Sequence, residues 1–194
     1  MNLCNRTNLS TWENIAKQVP SIKVENGMYI SKDNVLIGYE GKSEKLVVPE
    51  GITTIANNVI KGEGYNPDSK IAKEIVIPDT VKVIEDRAFF SRYNLEKVTL
   101  PKNLTEIGDY AFFECNIKEI EIPNTITKWG KNVFSSCALE KVTIPTNIKE
   151  IPEGMFEGCY KLKNIVIPDN VEKINEGAFW NCRNLESVNN RKKM

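Results

Sequence analysis

Four cysteines, Cys115, Cys137, Cys159 and Cys182, recur at intervals of 22, 22 and 23 residues, an order that invites reading them as metal ligands, disulfides or nucleophiles. The spacing argues against a metal, because metal sites draw on ligand pairs a few residues apart. The chain has no histidine. That removes the usual proton carrier near neutral pH, the commonest metal ligand and the base of a Ser-His or Cys-His pair. Glu106, Glu150 and Glu172 are expected on turns as solvated carboxylates, and none is matched by a second acid across an identifiable pocket. Gly62-x-Gly64 lacks the strand–loop–helix setting and the lysine of a phosphate loop. What remains for the four cysteines is a ladder of small, buried, apolar side chains, one per period. Cys4 lies outside that ladder and is expected as a free, exposed thiol. No catalytic residue, metal or cofactor is expected.

The bulk numbers suit an ordinary globular domain. At 194 residues, 41% hydrophobic and 27% charged, the chain suits one soluble domain with a substantial core. Its 26 basic and 26 acidic residues cancel, so no global field favours nucleic acid or an anionic membrane. No segment reaches the ~18 apolar residues of a membrane span. The first twenty residues contain no apolar core of the signal-peptide kind, so an export signal is not visible.

The elements that position these residues follow from the prolines. Pro49, Pro78, Pro101, Pro123, Pro145 and Pro168 are separated by 29, 23, 22, 22 and 23 residues. Aliphatic residues stand one and three places before each, as in Val98 and Leu100, and three places after, as in Leu104. Six places after comes Ile55, Ile84, Ile107, Trp129, Ile151 or Ile174; eleven places after comes Ile60, Phe89, Phe112, Phe134, Phe156 or Phe179. Alternating apolar positions before the proline predict a short strand with one face inward, and proline, lacking an N–H, ends it. Polar pairs such as Asp79-Thr80 and Asn124-Thr125 predict a turn, then a second short extended piece. The A-F-x-x-C stretch is expected as a tight helical turn that returns the chain. One coil cannot bury its apolar edge, so coils must stack. Trp129 in the isoleucine slot and Met155 in the alanine slot then read as local repacking.

This divides the chain into a cap over residues 1–45 and a solenoid over 46–194, with six coils and a truncated seventh. Ser10-x-x-Glu13 suggests a capping box before a short helix near residues 11–18, and Asn26-Gly27 between apolar residues predicts a β-hairpin. The longest period contains about six extra residues around Lys61–Pro67, an insertion expected in a loop. The far end runs into a polar, basic tail from Asn190. Charges five and four places before the prolines alternate in sign: Glu44-Lys45, Lys73-Glu74, Glu96-Lys97, Lys118-Glu119 and Glu140-Lys141. On neighbouring strands each would face its opposite, a pattern that penalises slippage by one coil.

Two surfaces are candidates for a ligand. One is the outward side of the first strands, with Lys97, Thr99, Glu119, Glu121, Lys141 and Thr143. The other is an apolar patch from Phe90, Phe113 and Trp180, each following a core phenylalanine. A carbohydrate ligand would want several exposed aromatics on one face, and only the Phe90–Phe113 pair offers itself.

The stretch LEKVTLPKNLTEIGDYAFFECN at 95–116 closely resembles the consensus of the treponemal-type, or BspA-like, leucine-rich repeat, and residues 46–188 resemble it throughout. Residues 22–39 are similar to the hairpin unit that often precedes such repeats. The resemblance implies a leucine-rich-repeat solenoid, mostly β with short helical turns, whose right-handed coils of 22–23 residues stack behind a helix and hairpin cap. It further implies a non-enzymatic interaction or adhesion module of bacterial surface or secreted type. The partner would be a protein, such as a host matrix or surface protein, with no nucleic acid. An intracellular or structural scaffold without a dedicated ligand is the alternative, and a cytoplasmic location stays open.

Overall fold

The computed structural model describes residues 12–60 and 71–190. Cys4, Ser10 of the capping box, the insertion at 61–67 with Gly62-x-Gly64, and the tail from Arg191 lie outside the described residues.

The cap forms first along the chain. A helix, α1 (Trp12–Gln18), is followed by β1 (Lys23–Glu25), β2 (Met28–Ile30) and β3 (Val35–Tyr39). Asn26 and Gly27 join β1 to β2 with φ of 49° and 77°, the paired left-handed conformations that a type I′ turn needs. A Cβ at Gly27 would also meet Gly41 at 2.7 Å, so glycine is required twice over. Ile15 of the helix buries itself on Tyr29, with Ala16, Val19, Ile22 and Ile37 around them. The helix therefore lies over the hairpin as its apolar spacing predicts.

Each coil then contributes two short strands. They are β4 (Lys45–Val47) and β5 (Thr54–Ile55), β6 (Glu74–Val76) and β7 (Val83–Ile84), β8 (Lys97–Thr99) and β9 (Glu106–Ile107), β10 (Glu119–Glu121) and β11 (Lys128–Trp129), β12 (Lys141–Thr143) and β13 (Glu150–Ile151), and β14 (Asn164–Ile167) and β15 (Lys173–Ile174). A last strand, β16 (Ser187–Asn190), opens the seventh unit. Like pairs with like in parallel: Ile75 lies opposite Leu46 and Val98, and Ile84 opposite Ile55 and Ile107. The proline carbonyl closes the intervening turn, accepting from Val81 N–H at 3.0 Å in the Pro78 coil and from Leu104 N–H at 3.2 Å in the Pro101 coil. The hairpin joins this framework through β3, which pairs antiparallel with β2 and parallel with β5.

The core is one continuous column. Phe89, Phe112, Phe134, Phe156 and Phe179 stack with centroids 5.2, 5.5, 6.1 and 5.7 Å apart, and the first four rings are wholly buried.

The return segment differs from expectation. It holds no helix and is built from β-turns, with left-handed φ at two fixed places per coil. Nine places after the proline these are Asn58, Arg87, Tyr110, Asn132, Gly154 and Gly177; thirteen places after, Ser91, Glu114, Ser136, Gly158 and Asn181. Hydrogen bonds between coils hold these residues there. Arg87, Phe89 and Ser91 donate to Asp109, Ala111 and Phe113 of the next coil at 2.8 Å each. An α-helical turn would direct those N–H groups back along its own axis and forfeit the bonds that join one coil to the next.

Trp129 departs further from expectation. It packs half-buried against the core, but more than repacking follows, because the second-strand sheet ends at its strand β11 and resumes as a separate pair, β13–β15.

Candidate binding face

The thiols are structural. Cys115, Cys137 and Cys159 are buried, and each donates its Sγ–H to the carbonyl of the phenylalanine one coil back: Phe89 at 3.2 Å, Phe112 at 3.1 Å and Phe134 at 3.2 Å. Cys182 does the same to Phe156 at 3.1 Å. Burial pushes the Cys115 thiol up to about 12 and carries Cys137 and Cys159 well above the ordinary thiol range. A nucleophilic thiolate needs the opposite setting. In the Pro78 coil the same slot holds Arg92, whose Nε–H donates to the Phe90 carbonyl at 3.1 Å. Among the described residues no cluster of three or more acid, cysteine or histidine side chains could hold a metal ion.

Two of the three carboxylates expected on turns stand instead on second strands and are ion-paired. Glu106 of β9 meets Lys128, and Glu150 of β13 meets Lys173 at 3.7 Å. Glu172 precedes β15 and pairs with Lys149 at 3.1 Å.

The first strands bring their outward residues together. Lys97, Thr99, Glu119, Glu121, Lys141 and Thr143 are all exposed, with Glu119 beside Lys141 and Glu121 beside Thr143 in register. A shallow depression of about 610 Å³ runs over Lys97, Lys118, Glu119, Glu121, Lys141 and Thr143, and Thr99 stands just outside it. The charge ladder forms at one end of this face: Glu74 takes Lys45 at 3.1 Å and Lys97 at 3.5 Å, while Glu96 takes Lys118 at 3.1 Å. Those neighbours hold the Glu74 carboxyl below its usual range, the hydrogen bond from Lys45 acting most. Among the described residues, Glu119, Glu121 and Lys141 enter no ion pair. Among the described residues the ladder thus stops at the Glu96–Lys118 pair. Sequence reasoning missed two members of this face, Val47 and Val166, which are 53% and 44% exposed. Both occupy the slot two places before a proline that also holds Thr99, Glu121 and Thr143, so their position was legible although their exposure was not.

The ladder yields a stability prediction. Reversing Glu96 and Lys97 together (Glu96→Lys with Lys97→Glu) breaks contacts to Lys118 and Glu74 and sets like charges side by side. Each exposed pair is worth ~0–1 kcal/mol, so the melting temperature should fall by about 2–4 °C. The same exchange at Glu44 and Lys45, beside the cap, should lower it less; equal shifts by calorimetry would reject a register role for the ladder.

The aromatic patch divides in two. Phe90 and Phe113 stack at 5.0 Å, Tyr110 meets Phe113 edge-on at 5.7 Å, and the Arg87 guanidinium lies over Phe90 and Tyr110 at 5.7 and 5.6 Å. Both phenylalanines are half-buried in this cluster. Trp180 is 68% exposed and lies three coils beyond Phe113, with Ser135 and Glu157 in the slot between them. The three residues do not make one surface.

The chain matches the model described as the BspA type leucine-rich repeat region over residues 60–186, in six copies. It is similar to a solved leucine-rich repeat protein from Bacteroides ovatus, at 25% identity and a TM-score of 0.58, over 87% of this chain and 51% of that one. It is also similar to the pneumococcal vaccine antigen PcpA, at 21% identity and a TM-score of 0.69, over 89% and 50%. A leucine-rich repeat protein from T. pallidum gives 22% identity and a TM-score of 0.62, over 86% and 89%. The chain spans about half the length of the first two. No curated protein matches it.

Proposed function

Because the chain belongs to the BspA-type leucine-rich-repeat family, we propose that it is a non-catalytic adhesion module of a bacterial surface or secreted protein, binding a protein ligand through its first-strand face. One observation carries this reading: Glu119, Glu121 and Lys141 stand exposed, without an ion pair among the described residues, and in register on a sheet whose backbone is fixed by stacking. A backbone fixed this way spares the ordering cost of a mobile loop, and alternating signs select a complementary surface. Exposed Val47 and Val166 in the same slot supply apolar contact at either end of the face. Host matrix and surface proteins are the partners that suit an adhesion module.

The experiment is interferometry of the protein against a panel of matrix and cell-surface proteins, run beside the variant Lys97→Ala/Glu119→Ala/Glu121→Ala/Lys141→Ala. These side chains leave the core untouched, so the variant should melt within about 2 °C of the parent. Binding should weaken at least about tenfold and the parent's on-rate should fall with salt. A partner held equally well by both forms would move the interface off this face. A panel with no binder would leave the chain as a spacer.

A further inference from the structure

Between the Pro123 and Pro145 coils the second-strand ladder is open, for a reason visible in two side chains. In the neighbouring coils Gly108 and Gly130 donate their N–H groups to the Ile84 and Ile107 carbonyls at 2.8 and 2.7 Å, and Asn175 donates to Ile151 at 3.0 Å. Pro152 occupies the equivalent place and has no N–H, so the Trp129 carbonyl receives nothing from it. Trp129 itself fills a slot that is isoleucine in every other coil. Thr105 and Lys149 accept from the coils that follow them, yet among the described residues no ladder bond joins Lys149 or Glu150 to Thr127.

The result is a cleft of about 780 Å³ with Trp129 in its wall. It is pinned at both ends, where the Asn132 N–H donates to the Glu153 carbonyl at 2.9 Å and the Asn147 amide donates to the Ile126 carbonyl at 3.0 Å. A strand needs about 4.8 Å on each side of itself, so a pinned opening does not admit a peptide as an added strand. The other lining groups include Lys131, Asn147, Glu153 and Glu176. Both charge signs are present, which favours neither an anion nor a cation. The part of the half-buried Trp129 that lines the cleft, backbone acceptors and donors without a partner among the described residues, and polar side chains of both kinds suit a neutral ring with an apolar face and many hydroxyls.

We infer that this cleft is a carbohydrate site, in which the C–H face of a neutral sugar packs on Trp129 and its hydroxyls bond Glu153, Glu176 and the open backbone of the Pro123 and Pro145 coils. The site is separate from the charged face proposed above, and either can fail without the other.

The test is saturation-transfer NMR of the full chain with neutral hexoses, N-acetylhexosamines and their disaccharides, beside the variants Trp129→Ile and Glu153→Ala/Glu176→Ala. Trp129→Ile restores the residue that every other coil carries, so it should fold, and the second variant changes only exposed side chains. At least one sugar should bind the parent, with affinity falling about tenfold or more in both variants. Absence of any sugar binding up to ~10 mM would overturn the proposal. So would binding that persists unchanged in the exposed double variant, or short unglycosylated peptides occupying the cleft in place of sugars.

Discussion

Replacing Phe112 with alanine should lower the unfolding free energy by about 3–5 kcal/mol, measured by urea denaturation. The ring is wholly buried and stacked on both sides, at 5.2 Å from Phe89 and 5.5 Å from Phe134. Removing it deletes apolar surface, leaves a cavity, and breaks two ring contacts worth ~0.5–1.5 kcal/mol each. Neighbouring coils cannot collapse into the gap, because the backbone here is tied to both: the Phe112 N–H donates to Val133 of the next coil at 3.0 Å, and the adjacent Ala111 carbonyl accepts from Phe89 of the previous coil at 2.8 Å. Phe179→Ala is the internal comparison: that ring is only partly buried and stacks on Phe156 alone among the described residues. Its loss should cost less than that at Phe112 by at least about 1 kcal/mol. Equal losses would mean that the column does not carry the core.

The second large effect is with pH. Cys115 titrates at about 12 in the folded chain because burial disfavours the thiolate, whereas an unfolded thiol titrates near 8.5. A raised folded value for an acidic group means the neutral thiol is preferred in the native state. Its contribution is fully present below about pH 8.5 and is lost as pH climbs from there toward 12, at roughly 1.4 kcal/mol per pH unit. Cys137 and Cys159 shift in the same direction for the same reason, so their losses add to it. Stability should therefore fall steeply between pH 8.5 and 10.5. The triple variant Cys115→Ala/Cys137→Ala/Cys159→Ala should be weaker at pH 7, having removed the thiol donors to the Phe89, Phe112 and Phe134 carbonyls and left the last two only a 3.3 Å backbone bond each, but should show a flatter alkaline slope. Identical slopes would place the pH sensitivity elsewhere, with Tyr29, also raised to about 12, the next group to examine.

Much of this architecture was legible in the residues because each coil repeats one contact. The prolines mark the same turn six times, the phenylalanines mark one column, and the cysteines mark one hydrogen bond to that column. Asn26-Gly27 was equally readable, since few other pairs tolerate two left-handed residues in succession. The return turn was not. After Asn58 in the first coil, its two left-handed places hold Arg87, Tyr110, Ser91 and Glu114 in the next two, residues that carry no conformational signature. Only Gly154, Gly158, Gly177, Asn132 and Asn181 hint at it later along the chain. Bonds between coils impose the conformation there, and those depend on tertiary geometry that local propensity does not report. The candidate face was readable as a row of positions, but which of its charges pair depends on where each side chain finds a neighbour. Glu74 collects two lysines while Glu119, in the same slot two coils along, collects none among the described residues. The cleft escaped notice because its causes, Trp129 and Pro152, lie in different coils and are individually unremarkable.

The hairpin's edge strand, β1, bears on how the molecule meets copies of itself. A bare coil would offer its backbone in the frame that another coil uses, an invitation to fibre growth. The hairpin reverses direction twice and ends on β1, a three-residue strand that runs the same way as the coil strands and whose Lys23 and Glu25 side chains form a 2.6 Å ion pair. A strand of another copy approaching this edge meets only three residues with paired charges, the short, charged kind of edge that discourages strand addition.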